Sequence, residues 1–149
     1  MLLQTLKTLF QRDLSKLRKE IELYKDESKL WIIDKGIADP AGNLCLHLIG
    51  NLNTYFGREL GGTGYIRNRD LEFSQKDIPQ AALLKMIDET TGIVEKVLNT
   101  LSDQQLEEEY PVIVFTEKMT TGFFLVHLIA HFSYHLGQIN YHRRLLDVV

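Results

Sequence analysis

The chain has 149 residues, a length typical of one folded domain with a sizeable core, and we expect a single domain over residues 1–149. A net charge of −3 gives no sign of a nucleic-acid-binding surface, and no apolar run reaches the roughly 20 residues that a membrane-spanning helix needs. Because Cys45 is the only cysteine, no disulfide can form within the chain, and we expect a cytoplasmic protein.

Helical periodicity begins close to the first residue of the chain. The segment 2–25 has an apolar stripe opposite a charged face and predicts a first helix. A short aromatic stretch, residues 28–36, then predicts one helical turn. The Asp39-Pro40 pair is typical of a helix start, so a second helix is predicted from there to about Leu60.

Two further helices are predicted in the second half of the chain. One covers residues 79–101, and the other begins after a cap at Thr120 or Thr121 and ends near Leu146. Four long amphipathic helices predict an all-α four-helix bundle.

The connections between these helices also carry information. Residues 61–78 connect the second and third helices, and fully extended they could span about 59 Å, more than the roughly 35 Å length of a helix of about 23 residues. A long crossover between parallel helices 2 and 3 is therefore feasible. Ser102 is expected to cap a short turn. Residues 110–115 (YPVIVF) are rich in β-prone side chains and predict an extended strand or one arm of a hairpin.

Histidines recur at intervals of four in the fourth helix: His127, His131 and His135. The first and last are about 12 Å apart along the helix axis, too far to share an ion with bonds of about 2.1 Å. One adjacent pair, 127/131 or 131/135, could chelate a metal, and His47 in the apolar second helix could supply a third ligand. His142, beside two arginines, is predicted to be a solvated or interface residue.

Two segments resemble motifs of one family. The segment HLIAHFSYHLGQI is similar to the final-helix motif of the DinB-like superfamily, in which H-x3-H precedes a residue, Gly and Gln. The loop RNRDLEF (67–73) is similar to a signature in an uncharacterised branch of that superfamily. The resemblance implies a bacterial metal-binding four-helix bundle with ligands His47, His131 and His135. Many members have arginine where this chain has Leu136, which argues against that arginine's role in binding an anionic substrate here.

The resemblance also implies a range of activities. Members include transferases that join a low-molecular-weight thiol to an electrophile, a thiol-dependent isomerase, and hydrolase-like proteins. We therefore expect a metal-dependent enzyme, a thiol-dependent S-transferase or a hydrolase, with a divalent transition metal and a low-molecular-weight thiol as cofactors. Zn or Ni is expected first, then Fe, Mn, Co or Cu. The alternative is a non-catalytic, dimeric, stress-related helical bundle with a structural metal or none.

Candidate substrate-binding residues surround the predicted ligands. Arg67 and Arg69 suit a carboxylate or phosphate group, although their loop could equally be salt-bridged internally and lie over the bundle. The Tyr134 hydroxyl could face the metal or simply pack. Gln138 could orient an imidazole, and Gly137 could let another helix approach closely.

The expected partners are a small-molecule substrate and a second copy of the chain, without nucleic acid or membrane. The homodimer is expected to use apolar helix faces with aromatic side chains, at Trp31, Phe123, Phe124 and Phe132.

Overall fold

A computed structural model describes residues 1–148, and this part of the chain is all-helical, as predicted, with one isolated antiparallel bridge between Glu109 and Thr120. The α-helices are α1 (Leu2–Glu22), α2 (Ala41–Leu52), α3 (Arg69–Ser74), α4 (Gln80–Thr100), α5 (Asp103–Leu106) and α6 (Thr121–Leu146). A 3-10 turn, Glu27–Trp31, follows α1, and a π-helical segment, Asn53–Arg58, continues α2. None of these described helices is long and apolar enough to cross a membrane.

The core lies between α1, α2, α4 and α6. Helix α1 packs against α4 and α6, and α2 packs against α3, α4 and α6. Helices α1 and α6 run in the same direction, because Glu20 near the end of α1 accepts hydrogen bonds from Asn140 and Arg143 near the end of α6. Every residue of α2 is buried, as its apolar sequence AGNLCLHLIGNL requires.

Helices α2 and α4 also run in the same direction. Asn53 donates to the Thr90 hydroxyl at 2.9 Å, and two turns further along, a β-carbon added at Gly61 would lie 3.0 Å from the Val97 side chain. The chain between these helices therefore returns along the length of the fold. Helix α3 lies within this return segment, where the sequence had predicted only a connection. The Asn68 side chain starts it by accepting a hydrogen bond from the Leu71 amide.

The predicted ends of the long helices are close to the observed ones. Helix α2 begins one residue later than predicted, with Pro40 rather than Asp39 at the cap position. Thr120 caps α6 by accepting from the Phe123 amide at 3.1 Å. Ser102 forms a capping box with Gln105 at the start of α5, which is the short turn that was expected there.

The predicted strand at residues 110–115 is wrong. Tyr110 is buried and its hydroxyl donates to the Tyr55 carbonyl oxygen at 2.6 Å, whereas Val112, Ile113 and Phe115 are exposed. Among the described residues no second strand lies beside this segment to complete a ladder. High β propensity is not sufficient when tertiary packing provides no pairing partner.

Candidate metal centre

Three imidazoles converge between α2 and α6. His47 is buried on α2, while His131 and His135 are half-buried one turn apart on α6. The Nε2 atoms of His47 and His131 are 3.2 Å apart, and one ring nitrogen from each of the three residues lies within 4.8 Å of the others. The structure therefore brings together the three histidines that the resemblance singled out.

His127 does not join this group. Its ring centroid is 6.5 Å from that of His131, and it packs instead against Phe115 at 4.8 Å. The residue pattern had left the pairs 127/131 and 131/135 open. In the folded chain it is the second pair that faces His47.

The spacing of the cluster fits a metal ion. Nitrogen ligands about 2.1 Å from one ion in a tetrahedral site are about 3.4 Å from each other, close to the 3.2 Å between His47 and His131. The His135 ring is as near as the other two, with its centroid 5.1 Å from that of His47 and 4.6 Å from that of His131. Histidine nitrogen is a normal ligand for divalent transition metals, so the donor set fits as well.

Hydrogen bonds hold two of the rings in the tautomer that metal binding needs. The His47 Nδ1–H donates to Glu72 Oε1 at 3.0 Å, and the His135 Nδ1–H donates to Gln138 Oε1 at 2.7 Å. Each bond leaves the Nε2 lone pair of its ring available to a ligand. His131 Nδ1 is buried and has no hydrogen-bond partner in the described residues.

Two members of the cluster, His131 and His135, favour the neutral imidazole. Burial, together with the neighbouring His135, His47, His127 and Arg67, lowers the pKa of His131 to about 4. Burial likewise lowers the pKa of His135, partly offset by the bond to Gln138 and by the nearby Asp39 charge. A neutral ring is the form that binds a metal, so protons compete weakly at neutral pH.

Glu72 is the residue that connects the crossover to the centre. Its carboxylate accepts a hydrogen bond from His47 and forms a bidentate ion pair with Arg67. In that pair the Arg67 Nε is 2.8 Å from Oε2, and one Nη is 3.0 Å from Oε1. Burial alone would raise the pKa of Glu72, but the bonds from His47 and Arg67 and the Arg67 charge outweigh it and lower that pKa. A charged acceptor therefore lies behind His47.

Gly50 makes room for this carboxylate. A β-carbon at position 50 would lie 1.9 Å from Glu72 Oε2, so no other residue fits there without moving Glu72. In the sequence, Glu72 stood out only as one charge in a polar loop. The available signal was Gly50, three residues after His47 on the same helix face, where a close approach to the backbone could have been suspected.

Of the predicted substrate-binding residues, some contact the histidine cluster or its supporting carboxylate, and others are exposed. Gln138 contacts His135 directly, and Arg67 is committed to Glu72, which agrees with the internally salt-bridged interpretation of the loop. Arg69 is exposed at the first residue of α3. Tyr134 is 66% exposed and its ring touches that of His135, with centroids 5.3 Å apart.

One expectation for α6 is wrong and another is not met within the chain. A β-carbon at Gly137 would meet nothing within 4 Å, so no helix of the same chain approaches closely there. His142 is buried rather than solvated, with both ring nitrogens hydrogen-bonded. Its position next to two arginines was misleading because those arginines point to other faces of the helix.

A cavity of about 340 Å³ lies further along α6 toward its C-terminal end, and His47, His131 and His135 are not among its lining residues. Gln138 forms part of its wall, so the cavity and the bond to His135 share one side chain. The other lining residues come from the loop before α2, from α2 and from the end of α6: Gly36, Ile37, Ala38, Asp39, Leu44, Tyr141, His142 and Leu145.

Comparison with known proteins gives one family. The family model described as "Protein of unknown function (DUF1572)" matches residues 1–148. A search of curated proteins finds no match to the chain.

Proposed function

Since the chain belongs to the DUF1572 family over residues 1–148, whose description gives no activity, we propose from the site itself that this protein is a metal-dependent enzyme of the DinB-like superfamily. The observation that carries the proposal is the convergence of three imidazole nitrogens within 4.8 Å, two of them with hydrogen-bonded outer nitrogens. We further propose that the four long helices form the DinB-like bundle as one domain of a cytoplasmic protein.

His47, His131 and His135 are the proposed ligands of a divalent transition metal. Zn and Ni are the first choices, and Fe, Mn, Co and Cu also bind neutral imidazole. When bound by three protein ligands, such an ion keeps an open position where it can lower the pKa of a thiol or water and supply a nucleophile. The carboxylate in contact with His47, that of Glu72, is already ion-paired with Arg67, which favours a metal-activated nucleophile over a carboxylate base.

The protein's own residues hold this arrangement. Glu72, itself fixed by Arg67, keeps the His47 lone pair directed at the centre, and Gln138 does the same for His135. The buried side of the cluster excludes water, because α2 is covered on all faces.

The cavity beside Gln138 is the proposed place of the substrate. Its volume suits a small molecule, and Leu44 and Leu145 give it apolar walls. Of the reactions that the resemblance implies, we favour transfer of a low-molecular-weight thiol to an electrophile over hydrolysis. Arg69 and Tyr134, both exposed, would contact only a part of the substrate that extends outward.

The second candidate function is a non-catalytic, dimeric, stress-related protein whose metal is structural or absent. Its support is the uncharged outer face of α6, which suits a partner better than water. A homodimer is compatible with both functions.

The experiment is elemental analysis of untagged protein prepared without chelator, followed by reconstitution with Zn and Ni. Wild type should hold near one equivalent, His131→Ala none, and the matched variant His127→Ala the wild-type amount. If wild type stays empty after reconstitution, the metal-enzyme proposal fails. If His127→Ala loses the metal and His135→Ala keeps it, the ligand set is wrong. A loaded wild type would then be tested with thiols plus electrophiles and with ester substrates.

A further inference from the structure

The outward face of α6 has an unusual composition. From Thr121 to His142 the helix contains no Asp, Glu, Lys or Arg over about six turns, although many of these residues face solvent. Phe123 is 62% exposed, Tyr134 66% and Tyr141 60%. Soluble surfaces normally place charges among such groups, and an exposed strip that is aromatic and charge-free is typical of a protein interface.

Six of the nine exposed residues between Thr121 and His142 are spaced like an interface between helices. These six follow one another at alternating intervals of four and three, which is the 3.5-residue repeat of paired helices. We call them the α6 seam: Phe123, His127, Ala130, Tyr134, Gly137 and Tyr141. Large rings alternate with the small Ala130 and Gly137, and a β-carbon at Gly137 would meet nothing within 4 Å. The seam thus has both projections and hollows.

The exposed area is sufficient for a pair. Three aromatic side chains that are about 60% exposed each present about 100–150 Å². With the half-exposed Val126 and Leu145, one copy could bury about 500 Å², so that two copies reach the roughly 1,000 Å² expected of a specific interface.

We propose that the α6 seam is the surface on which two copies of this chain pair, with their α6 helices antiparallel. A charge-free seam can meet a copy of itself without like-charge contacts, which a two-fold interface would otherwise create. Antiparallel pairing also keeps the two Arg144 side chains at opposite ends. The seam is then the interface of the homodimer named under the proposed function. This inference rests on that homodimer and is independent of the metal.

The core aromatics do not take part in this surface. Trp31, Phe124 and Phe132 are buried within the chain, so of the four aromatics expected at the dimer interface only Phe123 is available. His131 and His135 lie about 80–120° around α6 from the centre of the seam, and the ring of the seam residue Tyr134 touches that of His135. Tyr141 and Leu145 also line the cavity beside Gln138, so pairing would border the histidine cluster and cover one wall of that cavity.

Two glycines provide a matched test. Gly137 on the seam and Gly92 on α4 are both exposed, both lie within long helices, and a β-carbon added at either would have no atom within 4 Å. Gln forms helix better than Gly, so Gly137→Gln and Gly92→Gln should both fold. In analytical ultracentrifugation, wild type and Gly92→Gln should show the same monomer–dimer equilibrium, whereas Gly137→Gln should raise the dimer dissociation constant at least tenfold.

Disulfide cross-linking determines whether the two α6 helices pair antiparallel or parallel. Cys45 is buried, so a new exposed cysteine is the one that reacts under mild oxidation. In an antiparallel pair centred on the seam, position 127 of one copy faces position 137 of the other, so His127→Cys mixed with Gly137→Cys should give a disulfide-linked heterodimer faster than either variant links to itself.

Three results would overturn the proposal. Wild type could remain a monomer at all concentrations. If that monomer sediments with phosphatidylcholine–phosphatidylglycerol vesicles, the seam binds a lipid surface rather than a second copy. A wild-type dimer could be unaffected by Gly137→Gln. Self-linking of each cysteine variant could exceed cross-linking between them, which would indicate parallel helices. The metal content of each variant is measured on the same samples. Loss of the dimer with metal retained would then concern only the seam, and loss of metal in a dimeric protein would concern only the metal-enzyme proposal.

Discussion

Two regions of the molecule, the single His142 at the end of α6 and the histidine cluster between α2 and the middle of α6, show how hydrogen bonding separates a structural imidazole from a ligand. At the end of α6, His142 accepts from the Tyr24 hydroxyl at 2.6 Å through Nδ1 and donates to the Ile32 carbonyl oxygen at 2.8 Å through Nε2. Both ring nitrogens are satisfied inside the chain, so nothing is left for a ligand.

The cluster near the middle of α6 is different. His47 and His135 each use only Nδ1 in a hydrogen bond to a side chain, and each keeps Nε2 for the shared centre. His131 Nδ1 has no partner at all in the described residues. The Nε2 atoms of His47 and His131 face each other at 3.2 Å, and a buried nitrogen without a partner, such as His131 Nδ1, is costly, whereas both ring nitrogens of His142 are paired within the chain. This difference predicts that the two regions respond oppositely to mutation.

The largest expected effect is on metal affinity. His135→Ala removes one of three ligands and should weaken Zn binding by more than about 100-fold. Because the side chain is half-buried, the free energy of unfolding of the metal-free protein should change by no more than about 1 kcal/mol. A chelator-competition titration and urea unfolding measure the two quantities. Retained affinity would remove His135 from the ligand set.

The opposite outcome is expected for His142→Ala. The change leaves a cavity and deprives Tyr24 and the Ile32 carbonyl of a partner, so it should lower the free energy of unfolding by about 2–4 kcal/mol. Zn affinity should stay within about twofold of wild type. A clear loss of affinity in the folded variant would mean that the two regions are not independent.

A smaller effect is expected for Glu72→Gln, which keeps the shape of the side chain but removes the charge behind His47. Outer-sphere partners of metal-binding histidines typically contribute about 10–100-fold to affinity, and we expect a loss in this range. Glu59→Gln is the matched control, because Glu59 also pairs with an arginine, Arg58, away from the histidines. Equal behaviour of the two variants would contradict a supporting role for Glu72.

The smallest effect concerns acid stability. Burial lowers the pKa of His142, partly offset by the bond to Ile32, so the folded state prefers the neutral ring. The unfolded state takes up a proton at its ordinary pKa of about 6.5, and stability is therefore full above about pH 6.5 and lost as the pH falls. Metal-free His142→Gln should lose less unfolding free energy between pH 7.5 and 5.5 than wild type. An identical loss in both proteins would show that His142 contributes nothing to the acid response.

Much of the helical framework followed from local pattern. The apolar stripe of α1, the caps at Ser102 and Thr120, and the apolar run of α2 each depend on residues close together in the chain, and each is confirmed within a few residues. The prediction for segment 110–115 was wrong because its pairing with residues 119–121 ends at Tyr110, whose amide donates to the Met119 carbonyl oxygen, and β propensity alone does not extend a ladder.

Some features of the candidate site likewise followed from local sequence, and others depended on tertiary packing. Helical spacing by itself limited the α6 ligands to one adjacent pair and placed His47 on an apolar face, because the period of a helix determines which side chains share a side. Only the tertiary structure brought His47 within 3.2 Å of His131, turned His127 toward Phe115, and placed Glu72 against Gly50. Those contacts join residues from separate helices, and their geometry depends on how the whole core packs rather than on any one segment.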